Sequence, residues 1–150
     1  MINGKIVVAS GNAHKIEEIK QIFTGVELVT MKDAGFDGDI DETGKTFKEN
    51  SLIKAQAVYD KLHLPVLADD SGLCVDALGG APGVYSARFS GGTSADNRAL
   101  LLEKLQGISD RKARFACSAC FIGKHGKAIF GEGFTEGHIL FEETGNRGFG

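Results

Sequence analysis

Lys5-Ile6-Val7-Val8-Ala9-Ser10-Gly11-Asn12-Ala13-His14-Lys15, followed by Ile16, Ile19 and Phe23, is the stretch that decides the fold. Lys5 to Ala9, with the apolar run Ile6 to Ala9, is short, β-branched and bounded by glycine and asparagine, as in a fully buried strand. Ile16, Ile19 and Phe23 recur at helical spacing, which predicts a helix from about His14 to Phe23. A buried strand that hands over to a helix opens a βαβ unit. Ligands of open α/β sheets bind outside the carboxyl ends of the strands, where Ser10 to Lys15 lies.

A second hand-over of this kind is Pro65-Val66-Leu67-Ala68 before Asp69-Asp70-Ser71-Gly72. Here the pattern predicts a strand that ends at Ala68 and a loop that begins at Asp69. Between the two, Val26 to Thr30 alternates like a strand, and Lys32 to Gly44 is acidic and loop-like. Thr46-Phe47-Lys48-Glu49 fits a capping box, with Phe47, Ser51, Ala55, Val58 and Leu62 on one face of the helix it starts. Leu78 to Gly92 is a glycine-rich turn series, and Thr93 or Ser94 caps a helix carrying Leu101, Leu102 and Leu105. Ala113 to Ile122 is a long strand. Gly123-Lys124-His125-Gly126 turns it into a second strand, Ala128 to Phe134, and Ile139 to Phe141 is expected as a last short one. The pattern is βαβ-like early and hairpin-like late. The fold class is therefore α/β, a mixed sheet with flanking helices.

The 150 residues suffice for one domain with a real core. A net charge of −3 argues against a broad nucleic-acid-binding face, which needs a basic patch. An acidic protein still binds a polyphosphate when a divalent cation bridges the like charges. No apolar run is long enough to span a bilayer, so no membrane partner is expected. The N-terminus lacks the features of a secretory signal, and the three cysteines are an odd number. Both fit a reduced, cytoplasmic protein.

Two stretches carry candidate chemistry. Ser10 to Lys15 offers small polar groups, backbone N–H groups at a helix N-terminus and one lysine, which suits phosphate. Gly11 permits an unusual backbone angle. The same residues also describe a plain strand–helix turn with a capping Asn12 and a solvated Lys15. The Walker A pattern is absent. Asp69 and Asp70 offer two adjacent carboxylates, which suit a metal ion, while consecutive positions on an extended segment point to opposite sides. Mg²⁺ takes one or two carboxylates plus phosphates and water. Asp39, Asp41 and Glu42 supply a third carboxylate candidate. Asp-Asp-Ser-Gly is equally good turn composition, and an acidic loop is often only solvated.

In order and spacing, several motifs resemble one family. They are Ser10-Gly11-Asn12 with Lys15 and Glu18, Glu42-Thr43-Gly44 with Thr46-Phe47 and Glu49-Asn50, Ala68 to Leu73, and Leu78-Gly79-Gly80-Ala81-Pro82-Gly83-Val84-Tyr85-Ser86-Ala87-Arg88-Phe89. The chain is similar to the non-canonical purine nucleoside triphosphate pyrophosphatases, the inosine/xanthosine triphosphatase (Ham1-like, dITP/XTP pyrophosphatase) family, over nearly its whole length. The resemblance implies an elongated single domain, residues 1–150, with a central twisted sheet and two lobes around a cleft. It implies a Mg²⁺-dependent homodimer that hydrolyses ITP, dITP and XTP to the monophosphate and pyrophosphate, keeping deaminated purines out of DNA and RNA. Carried over by position, Asp70 is the general base and a metal ligand, and Glu42 the other ligand. Ser10, Gly11, Asn12, Ala13, His14 and Lys15 hold the triphosphate, Ser71 contacts the substrate, and Asp69 supports the loop.

In the family, the run Gly148-Phe149-Gly150 continues into Tyr-Asp-Pro and a later Ser-His-Arg segment. Phe149 and Gly150 match the start of that substrate-binding part. The resemblance thus implies a domain cut short at its C-terminus, with a strand edge or apolar surface left uncovered. A nucleotide-binding module without turnover is the competing expectation. Cys117-Ser118-Ala119-Cys120 looks like a chelating pair, but residues three apart on a strand face opposite ways, so core cysteines are expected. Arg88 is expected to be structural.

Overall fold

The computed structural model describes residues 4–145. The elements are β1 (Lys5–Val8), α1 (Ala13–Ile22), β2 (Glu27–Thr30), α2 (Phe47–Leu62), β3 (Val66–Val75), α3 (Ser94–Lys104), β4 (Lys112–Ile122) and β5 (Ala128–His138). Asp76–Leu78 and Gly83–Arg88 form short 3₁₀ turns. The strands make one open five-stranded sheet in the order β2-β1-β3-β4-β5. β1 runs parallel to both β2 and β3. The short turn between β4 and β5 is too brief for a parallel crossover, so this pair is an antiparallel hairpin and the sheet is mixed.

The helices start where their caps dictate. Asn12 Oδ1 accepts from the N–H groups of His14 and Lys15, which fixes the start of α1. Thr46 Oγ1 accepts from Glu49 N–H at the start of α2, but Glu49 reaches back to the Lys45 N–H, one residue short of a closed capping box. The box that does close is at α3, between Thr93 and Asp96.

Three expectations are corrected. β3 does not end at Ala68 but runs on through Asp69-Asp70-Ser71-Gly72 to Val75. Apolar flanks on both sides hold the strand, and the polar centre is satisfied by side chains from the helices, so turn composition loses. Ile139 to Phe141 is not a strand; Arg111 donates to the carbonyls of Ile139 and Leu140. The helical stripe of α1 is narrower than expected, since Ile16 is buried while Phe23 is exposed.

The chain divides into two compact units. The first comprises residues 4–70 and 118–132. Its core joins Val7 and Ala9, Phe36, Ala55 and Val58 of α2, Val66 and Ala68 of β3, and Cys120 and Ile122 of β4, all buried. The second comprises residues 71–117 and 133–145, with a core of Val75, Leu101, Leu105 and Ala113. In it, Arg111 is buried and donates three hydrogen bonds, to the carbonyls of Leu105, Ile139 and Leu140 at 2.8, 3.1 and 2.7 Å. Its guanidinium lies 4.6 Å from the centre of the Phe141 ring. Arg88 stacks on Tyr85. β5 is an edge strand with Ile129, Phe130 and Phe134 exposed. No helix among the described residues is long and apolar enough to cross a membrane.

Candidate active site

β1 leads through α1 to β2 on one side, and the chain then crosses back through α2 to β3 on the other, so the strand order reverses at β1, the place where open α/β sheets bind ligands. β1 and β3 pair at Val7–Val66 and Val8–Leu67, and the Ala9 N–H donates to the Leu67 carbonyl. β1 then stops while β3 continues. Asp69 and Asp70 therefore lie just beyond the carboxyl end of β1, beside the Ser10–Lys15 turn.

Strand alternation sends the two carboxylates to opposite faces, as their adjacency predicts. Asp69 Oδ2 pairs with Lys15 Nζ at 2.7 Å, with side chains only 13% and 20% exposed. Lys15 is thus no solvated surface cation. Asp70 is buried and faces α2. Its Oδ2 accepts from Asn50 Nδ2 at 3.0 Å, and its Oδ1 lies 3.8 Å from Lys54 Nζ. Lys54 Nζ also lies 2.7 Å from Glu42 Oε1. Burial pushes the Asp70 carboxyl above its ordinary range and Glu42 adds to that, against the pull of the Asn50 hydrogen bond, Lys54 and Lys15. The same interactions show that Asp70, Glu42, Lys54 and Lys15 share one electrostatic site.

Of the acidic loop, Glu42 is the member that turns inward, while Asp39 and Asp41 are exposed. The loop is pinned through Gly44, whose N–H donates to Asn50 Oδ1 at 2.8 Å. A Cβ on Gly44 would meet Asn50 Oδ1 at 2.5 Å and the Asn50 backbone nitrogen at 2.9 Å, so only glycine admits this approach. The wholly buried Asn50 therefore ties the Glu42 loop to Asp70.

The Ser10–Lys15 turn has the capping Asn12 of the plain strand–helix reading but not its solvated Lys15. Ser10 Oγ accepts from the Asn12 N–H and Asn12 Oδ1 caps α1. These bonds use acceptor lone pairs, leaving the Ser10 hydroxyl proton and the Asn12 amide group to donate outward. Ala13 and His14 are exposed at the helix start. Gly11 makes no use of the unusual backbone angle it permits, and the space where its Cβ would stand is open. Ser71 follows Asp70 on β3, half-buried. Phe149 and Gly150 lie outside the described residues.

Sequence reasoning gave Asn50 and Lys54 no role at the site. The signal was present: the two stand at i and i+4, polar residues sharing one face with buried Ser51, Ala55 and Val58. Cys120 is buried and its thiol is pushed up by that burial, as for an inert core cysteine.

Among the described residues, no three His, Cys, Asp or Glu side chains converge as an all-protein metal cage. Mg²⁺ does not require one, since it commonly keeps water and substrate phosphate among its ligands. Glu42 and Asp70 already converge on one cation, the Lys54 ammonium, and both are hard oxygen donors. The donor set fits such an ion.

The profile of the Ham1 family matches residues 6–150. The dITP/XTP pyrophosphatase of Thermoanaerobacter pseudethanolicus is 46% identical, over 97% of this chain and 76% of the relative. That of Clostridium perfringens is 44% identical, over 97% and 78%. Among solved structures, the Ham1 protein of Staphylococcus aureus superposes with a TM-score of 0.88 at 38% identity, over 97% of this chain and 77% of that one. The nucleoside-triphosphatase / dITP/XTP pyrophosphatase of Mycobacterium abscessus gives 0.82 at 40%, over 97% and 80%.

Proposed function

This chain belongs to the Ham1 family, and on that premise we propose that it is a pyrophosphatase of dITP, XTP and ITP. It cleaves each to the nucleoside monophosphate and pyrophosphate, which removes deaminated purines before a polymerase uses them. The observation that carries the reading is Asp70 held by Asn50 and joined through Lys54 to Glu42, with the Lys15–Asp69 pair beside it at a helix N-terminus.

Asp70 accepts the proton of the attacking water. Its orientation is set by Asn50, which holds Oδ2 and leaves Oδ1 turned toward Lys54. Ser10, Gly11, Asn12, Ala13, His14 and Lys15 bind the triphosphate through backbone N–H groups, outward-facing donors and the lysine charge. Asp69 holds Lys15 in place. Ser71, Phe149 and Gly150 contact the substrate in this reading. Glu42 and Asp70 would hold a Mg²⁺ ion, which when bound would offset the charge that develops on the phosphates. A homodimer in the cytoplasm, one domain per chain, completes the reading and follows from the family resemblance.

The test is pyrophosphate release from dITP and ITP, with GTP as control, with and without Mg²⁺. Cation-dependent pyrophosphate from the deaminated nucleotides, lost in Asp70→Asn, is the expected result. Orthophosphate as the first product would make the protein a phosphatase. A rise in melting temperature with dITP but no product would make it a binding module.

A further inference from the structure

The carboxylate pair assigned to the metal already faces a cation that belongs to the chain. Lys54 Nζ stands 2.7 Å from Glu42 Oε1 and 3.8 Å from Asp70 Oδ1. Its side chain is only 14% exposed, so the ammonium is held against the carboxylates by packing. Lys54 lies one turn beyond Asn50 on α2, and Asn50 grips the other oxygen of Asp70. A divalent ion on Glu42 and Asp70 would therefore meet a fixed positive charge at close range.

We propose that Lys54 is an internal counter-cation that competes with the divalent ion for Glu42 and Asp70. The free protein then binds the metal weakly and takes it up together with the triphosphate. This inference rests on the reading of Glu42 and Asp70 as the metal ligands. A buried and a half-buried carboxylate without a counter-charge are costly, and Lys54 offsets part of that cost while no substrate is present. A triphosphate changes the balance twice. Its oxygens add ligands for the divalent ion, and they offer the displaced ammonium a new anion. Metal and nucleotide consequently strengthen each other's binding by the same factor.

The experiment is titration of the full chain with Mn²⁺ alone, followed by electron paramagnetic resonance, without nucleotide. Lys54→Met should bind Mn²⁺ more tightly than wild type by about tenfold or more, as expected when a close like charge is removed. Lys54→Gln provides a second neutral variant should the methionine fail to fold. Mn²⁺ affinity in both neutral variants equal to or below wild type, with Glu42→Gln still abolishing binding, would overturn the counter-cation role and leave the metal site standing. Mn²⁺ binding indifferent to Glu42→Gln in every background would overturn the metal site, and the inference with it.

Discussion

Asn50 and Asp70 are bonded to each other out of water: the Asn50 Nδ2 donates to Asp70 Oδ2 at 3.0 Å from a side chain with no exposed surface. The other end of the amide accepts from the Gly44 N–H. Asn50→Ala strips partners from the buried Asp70 carboxylate and the part-buried Gly44 N–H at once. The expected loss is about 2–4 kcal/mol, from two unsatisfied groups, read by urea denaturation. A loss under about 0.5 kcal/mol, the surface-substitution range, would show that water replaces the amide at no cost. Where the variant folds, kcat should fall more than KM rises, because Asp70 loses its orientation.

Asp70 ties stability to pH. Burial raises its native pKa above that of the unfolded chain. The folded state thus binds the proton more tightly, and this contribution is complete below the unfolded pKa and lost as pH rises through the native one. In the metal-free protein at neutral pH, ionised Asp70 therefore works against folding. Asp70→Asn in EDTA should melt no lower than wild type near neutrality, with any advantage shrinking on acidification. A variant that melts lower at neutral pH but matches wild type in acid would show that Lys54 and Asn50 outweigh the burial.

Gly44 is a place where one methyl group decides the loop. In Gly44→Ala the new carbon meets the Asn50 backbone at 2.9 Å and the Glu49 Cβ at 2.8 Å, neither of which is a flexible tip. The loop must move, carrying Glu42 with it. The expected cost is about 1–3 kcal/mol, as for other overpacked sites, with turnover reduced more than tenfold. Wild-type turnover in this variant would detach Glu42 from the reaction.

Arg111 can be tested apart from the chemistry. Its guanidinium donates to three carbonyls and stacks on Phe141. Arg111→Lys keeps the charge but not the planar fork. Hydrogen exchange at Ile139 should accelerate, because its N–H donates to the Arg111 carbonyl and that pairing depends on the clamp. Unchanged protection would mean that the backbone contact alone holds the segment.

Periodicity made β1, α2, α3 and β4 readable, because their apolar spacing largely coincides with burial, while α1 formed as spaced although Ile16 is its one buried residue. It misjudged β3, where the signal for a turn was local and the reason for a strand was not. Asp69 and Asp70 stay in the sheet because Lys15 and Asn50, distant in sequence, satisfy them. β5 runs on to His138 through Gly131, Gly133 and Gly137, beyond the expected stop at Phe134. The candidate site was legible as two loops and a carboxylate pair. Its connecting parts, Asn50 and Lys54, were hidden because a polar residue on a buried helical face declares its purpose only when its partner is known.

Every side chain of the proposed phosphate loop, and each partner named for Asp70, lies between Ser10 and Asp70 in the sequence. The core beneath them is not closed by those residues alone, since it needs Cys120 and Ile122. During synthesis, then, the proposed catalytic groups emerge long before the strand that completes their support. A ribosome that has delivered Asp70 still holds back the last wall of its platform, and the carboxylates gain their settled geometry only after β4 is released.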